Sequence, residues 1–466
     1  MQIINYLLLL AIFITTRLNT TAQELITYPA PQAVIYSMHN DDYTVRVRKP
    51  GGIWQDLYEY NVKVDADKPQ DASMVYFDFS GTVEVCIRKN NGGINQVRVR
   101  PLNLAIVPGI KGNCIYFTLT RPCKISVEFN ADKLHNLHLF ANPVETAKPD
   151  TADSQVIYFG PGLHEPPNGV LNIPSNKTVY IAGGAVVRAK LVCDSVHHIK
   201  ISGRGILDRP GEGISINFCS DVSIDGIIVL NPRHYTVAGG ASRHISIQNL
   251  KSFSSQGWGD GLDFMSCSDV TVNDVFMRNS DDCIAIYCHR WNFYGNARGY
   301  NIRNAILWAD VAHPINIGTH GNTAHAGDTI ENIVFKNIDI LEQDEDDPDY
   351  QGCMALSVGD YNLVRNIGFE DIRVDDFEEG KLFSLVVFYN KKYNTGPGRG
   401  IQDIHFKNIR YTGANLSPSI IRGYDGTHGV KDITFQHLTI NGKLVLTAAD
   451  ANIKTGPFAE RIVFKK

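Results

Sequence analysis

Val222-Ser223-Ile224-Asp225-Gly226-Ile227 is the most informative segment for the fold class, because the chain repeats its pattern of apolar and polar residues many times. The pattern is apolar, any residue, apolar, two polar or small residues, apolar. It returns as Ile-Ser-Ile-Gln-Asn-Leu at 245–250 and as Val-Thr-Val-Asn-Asp-Val at 270–275. Including weaker copies, the repeats begin at residues 199, 222, 245, 270, 300, 333, 367, 404 and 433, so the spacing grows from 23 to as much as 37 residues.

A period slightly above twenty residues is typical of stacked β coils. Each coil carries an apolar row that it cannot bury alone, so stacking produces a continuous core, and insertions become loops on one face. A propeller blade needs four strands, for which 23 residues are barely enough, and the Leu spacing of leucine-rich repeats is missing. We therefore predict an all-β chain with a right-handed parallel β-helix over residues 156–466.

The residues before the repeats alternate between apolar and polar side chains. Runs such as Val83-Glu84-Val85-Cys86-Ile87 place apolar groups on one face, and turn signals such as Pro50-Gly51-Gly52 separate the runs. This pattern predicts a small antiparallel β-sandwich over residues 23–140. Residues 141–155, rich in Pro, Thr and Asp, are predicted to form a linker.

Residues 1–22 have the pattern of a signal peptide. The apolar run at 7–14 is too short to span a membrane, and small residues at 20–22 suit a cleavage site, although no Lys or Arg lies in residues 1–6. This predicts a secreted or periplasmic protein, with a short N-terminal anchor as the alternative. No later segment is long and apolar enough to span a bilayer.

The composition of the chain limits the classes of molecule that it is expected to bind. The net charge is −5 and charged residues make up 20% of the chain, which gives no electrostatic footprint for nucleic acid. The nine cysteines are odd in number and contain no C-x-x-C pair, so they predict neither a metal site nor a readable disulfide framework. We expect no cofactor, and the sequence does not predict an oligomeric state.

The most informative residues are three aspartates. Asp260 precedes the pair Asp281-Asp282 by 21 and 22 residues, which is close to one coil. Neighbouring strands lie about 4.8 Å apart, so we expect the three carboxylates to share one patch, where like charges raise each other's pKa. Glycoside hydrolysis uses one protonated acid and ionised carboxylates that activate water. We predict this role; turn capping or Ca²⁺ binding is the alternative.

Aromatic and polar side chains surround these aspartates in the sequence. Sugars stack on aromatic rings, and their binding sites combine such rings with a few polar groups. We therefore expect a polysaccharide or oligosaccharide substrate. Trp308 lies in a repeat strand, where core packing is an equal alternative. The residues predicted to bind substrate are Trp258, Asp263, Tyr287, Trp291, His313 and His320.

The order of these motifs resembles a known clan of enzymes. D-G-x-D at 260–263, D-D at 281–282 and H-x-x-x-I-G at 313–318 resemble the polygalacturonases of glycoside hydrolase family 28, and also the dextranases of family 49. The resemblance covers roughly residues 156–440 and implies a pectin-lyase-like β-helix and hydrolysis with inversion. It implies that Asp281 is the general acid and that Asp260 and Asp282 hold and activate water. It matches His313 to the histidine of the polygalacturonase G-H-G segment, although Pro314 replaces a glycine there.

One departure from the resemblance concerns the substrate. Polygalacturonases carry an R-I-K motif one coil later, which grips a uronate carboxylate. Residues 338–363 contain no Lys or Arg, and the six acids at 342–349 would repel a polyuronate unless Ca²⁺ bridged the two: Glu342, Asp344, Glu345, Asp346, Asp347 and Asp349. We therefore expect a neutral, dextran-like polysaccharide, with a polygalacturonase-type substrate as the alternative. The predicted sandwich before the helix also resembles family 49.

Two readings from other classes stay open. Polysaccharide lyases are also often β-helices, but they need a cation to neutralise a uronate, and this acidic stretch offers none. A non-catalytic carbohydrate-binding β-helix would bind sugars without cleaving them. The sequence predicts neither the sugar and its linkage nor endo or exo action.

Overall fold

The computed structural model describes residues 23–466, and the predicted signal peptide of residues 1–22 lies outside them. Regular structure in these residues consists of β-strands and three short 3-10 turns at Gln32–Val34, Leu102–Leu104 and Pro167–Gly169. No helix between residues 23 and 466 has the length and apolar character needed to cross a membrane.

Two sheets facing one core form the N-terminal part. Its strands β1 to β11, in chain order, are Leu25–Thr27, Tyr43–Arg48, Gln55–Asp56, Tyr60–Val64, Gln70–Phe79, Val83–Lys89, Val97–Arg100, Gly109–Lys111, Cys114–Leu119, Cys123–Phe129 and Leu137–Pro143. One sheet has the order β1-β5-β11-β10-β7 with β4 beside β5, and the other has the order β3-β2-β6-β9-β8. Side chains from both sheets, such as Phe77 and Ile115, pack in the same buried cluster.

The sandwich differs from the predicted antiparallel one at a single pair of strands. β11 runs parallel to β5, with Leu137 opposite Ser73. The two strands are separated by more than fifty residues, so the intervening strands let the chain return to the same edge in the same direction. The last strand also ends at Pro143, three residues beyond the predicted end of the sandwich.

The parallel β-helix begins at Val156. Strands β12 to β27 are Val156–Phe159, Gly162–His164, Val170–Asn172, Thr178–Ile181, Ala185–Val187, Lys190–Asp194, His197–Gly203, Ile206–Asp208, Ile214–Asn217, Ser220–Asp225, Ile228–Leu230, Val237–Gly240, Arg243–Gln248, Lys251–Phe253, Leu262–Met265 and Ser268–Asn273. Strands β28 to β43 are Phe276–Ser280, Ile284–Tyr287, Ala297–Arg303, Ile306–Val311, Ile315–Ile317, Thr329–Gln343, Met354–Val358, Leu363–Val374, Phe383–Val387, Gly400–Tyr411, Ser419–Arg422, Val430–Gln436, Thr439–Ile440, Lys443–Leu444, Ile453–Thr455 and Ala459–Lys465.

These strands stack into two long sheets. One has 21 strands and bends around two faces of the helix, and the other has 11 strands in the order β14-β17-β20-β23-β26-β29-β32-β34-β36-β38-β42. A representative coil consists of β20, β21 and β22, and the next coil, β23 to β25, pairs with it in parallel. The predicted β-helix is confirmed, and we call the second sheet the 11-stranded sheet below.

The sequence repeat predicts the register of the coils. Val222 lies opposite Ile199 on one side and Ile245 on the other, and the same position pairs from coil to coil as far as Ile433. The second polar position of the repeat has a positive φ in every coil, for example Gly226 (87°) and Asn249 (52°). Gly and Asn tolerate this left-handed conformation, which explains why the repeat needs small or polar residues at each corner.

The sandwich packs directly against the helix. An apolar cluster joins residues of β4 and β5, such as Val62 and Met74, to Ile228 and Phe276 of the coils. Trp308 belongs to this interface: it is fully buried, with the guanidinium groups of Arg100 and Arg278 within 4.5 and 4.2 Å of its ring centre. Trp308 is therefore a packing residue and is not available to stack on a sugar.

Candidate active site

A cleft of about 980 Å³ runs along the outer face of the 11-stranded sheet. The sheet supplies its floor, for example Ser357 of β34 and Arg422 of β38, and the loops between coils supply its walls. Asp260, Asp281 and Asp282 all line this cleft. We call these three residues the aspartate triad.

Coil stacking brings the triad together. β26 pairs with β29, with Leu262 opposite Ile284, and the N–H of Gly261 donates to the carbonyl of Asp282 at 2.9 Å. The residues just before these two strands are therefore neighbours. One carboxylate oxygen from each triad member lies within 4.8 Å of the others. Oxygens this close could also hold a divalent cation.

Asp282 is the most firmly held member of the triad. Its carboxylate accepts hydrogen bonds from Asn316 Nδ2 at 2.8 Å, from the backbone N–H of His313 at 3.2 Å and from the Tyr287 hydroxyl at 3.3 Å. His313 Nδ1 adds a bond of 2.6 Å. Four donors around one side chain that is 2% exposed suit an ionised carboxylate.

His313 lies behind the triad and outside the cleft lining. Its Nε2 donates to the carbonyl oxygen of Tyr350 while Nδ1 faces Asp282, so both ring nitrogens need a proton. Burial opposes the charged imidazole, but the Asp282 carboxylate outweighs burial and raises the pKa of His313. His313 is fully buried. The contacts of His313 support a role in holding Asp282 in place. They give no support to the contact with substrate that the sequence predicts.

Asp281 is half-buried and faces the cleft. It accepts bonds from the backbone N–H groups of Trp258 at 3.2 Å and Asp282 at 3.0 Å. Burial, followed by the negative charge of Asp282, raises the pKa of Asp281 to about 7. The Asp281 carboxyl therefore keeps its proton up to neutral pH, as a general acid requires.

Asp260 and Asp263 form a second acidic pair. Burial and the carboxylates of Asp263, Asp281 and Asp282 raise the pKa of Asp260 well above its usual range. Asp263 is fully buried, and within the described residues no N–H or hydroxyl group donates to its oxygens; its side-chain partner is the neighbouring Asp260 carboxyl. Burial also raises the pKa of Asp263. Asp263 is not part of the cleft lining, so it lies behind Asp260 and the structure gives no support to the predicted substrate contact.

The predicted aromatic residues lie around the triad in different settings. Trp258 is 68% exposed at the edge of the cleft, whereas Tyr287 is buried in its floor. Trp291 is 54% exposed and lines a smaller neighbouring cavity of about 420 Å³. His320 lines the main cleft, edge-on to the Tyr287 ring at 5.0 Å. Burial, followed by the charge of Arg290, lowers the pKa of His320 to about 3, so its ring is neutral.

Four cationic side chains line the cleft, and none of them is among the residues predicted from the sequence. They are Arg290, Lys391, Lys392 and Arg422. The expectation of a neutral substrate rests on the coil at residues 338–363 alone, whereas other coils place cations beside its acids. Of the acidic stretch, Glu345, Asp347 and Asp349 line the cleft, but Glu342 is buried and paired with Lys133 of the sandwich at 2.5 Å. The position of Arg290 next to Trp291 was the one available signal.

Comparison with known families agrees with the motifs. Residues 184–456, more than half of the chain, match the model of the family described as glycosyl hydrolases family 28. The match includes the aspartate triad and His313.

Curated relatives are distant. The chain is 24% identical over 188 residues to the probable endopolygalacturonase D of Emericella nidulans, which covers 39% of this chain and 32% of that protein. It is 21% identical over 304 residues to the probable endo-xylogalacturonan hydrolase A of Aspergillus fumigatus, covering 58% and 70%. The chain spans about a third to a half of the length of the endopolygalacturonases that it matches.

Solved structures share the architecture. Dex49A from Penicillium minioluteum has a TM-score of 0.61 at 14% identity and covers 88% of this chain and 90% of its own. A family 28 exopolygalacturonase from Yersinia enterocolitica has a TM-score of 0.51 at 12% identity, with coverage of 82% and 96%. At these identities the likeness shows a shared fold.

Proposed function

Because this chain belongs to the glycosyl hydrolases of family 28, we propose that it hydrolyses glycosidic bonds in a polysaccharide that contains uronic acids. The observation that carries the proposal is the aspartate triad, whose oxygens lie within 4.8 Å of one another in a cleft large enough for several sugars. Clustered carboxylates destabilise a fold, so their retention at the base of a cleft favours a chemical role.

Within the triad, Asp281 acts as the general acid and Asp282 as the general base. Asp281, with its pKa raised to about 7, donates its proton to the glycosidic oxygen as the bond to the anomeric carbon breaks. Asp282, held by four donors, accepts a proton from the attacking water. Asp260 lies beside both and helps to hold that water. Tyr287 and His313 keep Asp282 oriented.

Family membership implies inversion of the anomeric carbon. The two carboxyl groups of an inverting pair usually lie roughly 6.5–9.5 Å apart to admit water, whereas the nearest oxygens of this triad lie within 4.8 Å. We propose that the water is held at the edge of the compact triad, against Asp260 and Asp282. Early product analysed by ¹H NMR should contain the inverted anomer; a product with retained configuration would refute this part.

The proposed substrate is a polyuronate of the galacturonan type. Cations in the cleft can neutralise sugar carboxylates, and the relatives named as polygalacturonases and a xylogalacturonan hydrolase support the same class. This favours the alternative raised from the sequence over the dextran-like substrate. The likeness to Dex49A does not support a dextran-like substrate, because at 14% identity it concerns the fold alone. Export from the cytoplasm, proposed from residues 1–22, is a separate prediction.

A screen for reducing ends tests the proposal. Polygalacturonate, galactan and dextran are incubated with the full chain, with Asp281→Asn and with Asp269→Asn, whose exposed carboxylate lies outside the cleft. We expect release from polygalacturonate, a loss of about 10²-fold or more in Asp281→Asn, and wild-type rates in Asp269→Asn. EDTA should not change the rate, because the acid and the base are protein groups.

Three results would refute the proposed function. Release from dextran alone would restore the neutral substrate. Unsaturated uronide products, detected by their ultraviolet absorbance, would identify a lyase. Binding of polygalacturonate with no new reducing ends would identify a non-catalytic binding protein.

A further inference from the structure

The residue that the proposed chemistry leaves unexplained is Arg290. It begins a tight turn in which the N–H of Arg290 donates to the carbonyl of Phe293 at 3.3 Å and the N–H of Phe293 donates back at 3.1 Å. His289 Nδ1 donates to the same Phe293 carbonyl at 2.6 Å. Two bonds within the turn and one from its neighbour fix the backbone from which the Arg290 side chain extends.

Packing below the turn fixes it further. The Phe293 ring belongs to a small buried cluster with Met265, Ala285 and Tyr287. It also covers Gly240, where an added Cβ would come within 2.3 Å of the ring. The 11-stranded sheet is therefore built to receive this ring, and the turn cannot shift without losing that packing.

The guanidinium group of Arg290 lies among aromatic rings in the cleft. Its central carbon is 4.9 Å from the ring centre of Trp291, 5.7 Å from Tyr235 and 5.8 Å from Tyr287. Within residues 23–466, no carboxylate forms an ion pair with it and its side-chain N–H groups have no hydrogen-bond acceptor; Asp260 and Asp263 act on it only at longer range. The two lysines of the cleft, Lys391 and Lys392, are exposed at its rim.

A half-buried cation without an acceptor is unfavourable unless a ligand supplies one. The planar fork of a guanidinium group matches a carboxylate through two parallel hydrogen bonds. The aromatic rings hold the group in place, so little side-chain entropy is lost when the ligand binds. Because the aspartate triad repels anions, a uronate needs a cation close to the triad in order to approach it.

We propose that Arg290 binds the carboxylate of a uronic acid residue next to the cleaved bond and thereby selects the free acid over the esterified sugar. This proposal rests on the proposed function and deepens it. It places the selection on a turn of the coil that carries Asp281 and Asp282, in a chain with no Lys or Arg at residues 338–363. The competing explanation is that Arg290 only balances the charge of Asp260 and Asp263.

Binding to an inactive background separates these explanations. Asp281→Asn, Asp281→Asn/Arg290→Gln and Asp281→Asn/Arg290→Lys are titrated by calorimetry with trigalacturonate and with its fully methyl-esterified form. Asp281→Asn/Arg243→Gln, which removes an exposed cation outside the cleft, is the matched control. Thermal unfolding confirms that each variant is folded.

We expect Arg290→Gln to weaken trigalacturonate binding about 10-fold or more, as expected for a lost charge-assisted hydrogen bond. Binding of the ester should change less than about 2-fold, Arg290→Lys should recover part of the loss, and Arg243→Gln should change neither ligand. Equal weakening of both ligands, or no weakening, would overturn the proposal while leaving the proposed function intact. If the Asp281→Asn parent binds neither ligand and the wild type releases no reducing ends from polygalacturonate, the proposed function fails and this inference fails with it.

Discussion

At the scale of single residues, the environment of each aspartate separates chemically identical side chains. Asp281 faces the cleft with two backbone donors, whereas Asp282 is surrounded by four donors and Asp263 has none. A carboxyl without donors is more stable when protonated, and one with many donors is more stable when ionised. The same residue type can therefore supply both the acid and the base.

The protonation state of Asp281 predicts how kcat falls at alkaline pH. Its pKa is raised to about 7, so the acid carries its proton below that pH and loses it above. The value of kcat should therefore fall as the pH rises through about 7, by a factor approaching ten for each further pH unit. Initial rates at saturating polygalacturonate between pH 4 and pH 9 measure this. A rate that increases steadily above pH 7 would contradict the assignment of Asp281 as the acid.

A substitution at Asp263 distinguishes a positioning role of this residue from direct binding of substrate. Asp263→Asn keeps the shape of a fully buried side chain and replaces a carboxyl to which no N–H or hydroxyl group of the described residues donates. We expect an unchanged KM and a lowered kcat, because the variant removes an ionisable group beside Asp260 without touching the cleft. The melting temperature should not fall. A raised KM with unchanged kcat would restore the direct contact with substrate predicted from the sequence.

At the scale of elements, the C-terminal coils are joined by a stack of phenylalanines. Phe335, Phe369, Phe406, Phe435 and Phe464 occupy equivalent positions of successive coils, with ring centres 4.9–5.1 Å apart and planes within 10° of parallel. Phe383 also packs edge-on against two of the rings. The stack makes each coil dependent on its neighbours, as expected for a repeat architecture.

The position of a ring in the stack should determine how much it contributes to the free energy of unfolding. Phe406→Ala removes a buried ring with a stacked neighbour on each side, and we expect a loss of about 3–5 kcal/mol in the free energy of unfolding. Phe464→Ala removes the half-buried ring at the end of the stack, so its loss should be less than half as large. Urea denaturation followed by circular dichroism compares them. Equal losses would show that the stack does not couple the coils.

At the scale of the whole molecule, buried charges join the sandwich to the helix. The fully buried guanidinium of Arg278 pairs with Asp310 at 2.9 Å and donates to Asn136 Oδ1 at 2.8 Å and to the carbonyl of Lys133 at 3.1 Å. Asn136 and Lys133 belong to the sandwich. The two parts therefore share a network that only their contact satisfies.

Breaking this network should destabilise both parts together. Arg278→Met leaves the Asp310 carboxylate buried without its cation, and we expect a loss of about 3–5 kcal/mol and a single unfolding transition in calorimetry. The double variant Arg278→Met/Asp310→Asn should lose less than the sum of its two single variants. Arg461→Met, which removes an exposed ion pair with Asp432, should leave the transition nearly unchanged. Two separate transitions in Arg278→Met would show that the sandwich and the helix unfold independently.

The sequence repeat encodes the coils, their register and the proximity of the three aspartates in the triad. A repeat with one apolar row must stack in register to bury that row, so residues one period apart, such as Asp260 and Asp282, become neighbours. The family resemblance, confirmed by the match over residues 184–456, rests on the same local order.

The surroundings of the triad, in contrast, depend on how the loops and the sandwich pack in three dimensions. Loops of unequal length place Arg290 and Lys391 in one cleft with Arg422 of β38, although the three residues lie far apart in sequence, and no periodicity encodes where such loops converge. Tertiary packing also places Trp308 against the sandwich, and Asp263 and His313 behind the cleft-facing carboxylates of the aspartate triad. Burial is a property of the packed molecule, because it depends on which distant surface covers a side chain.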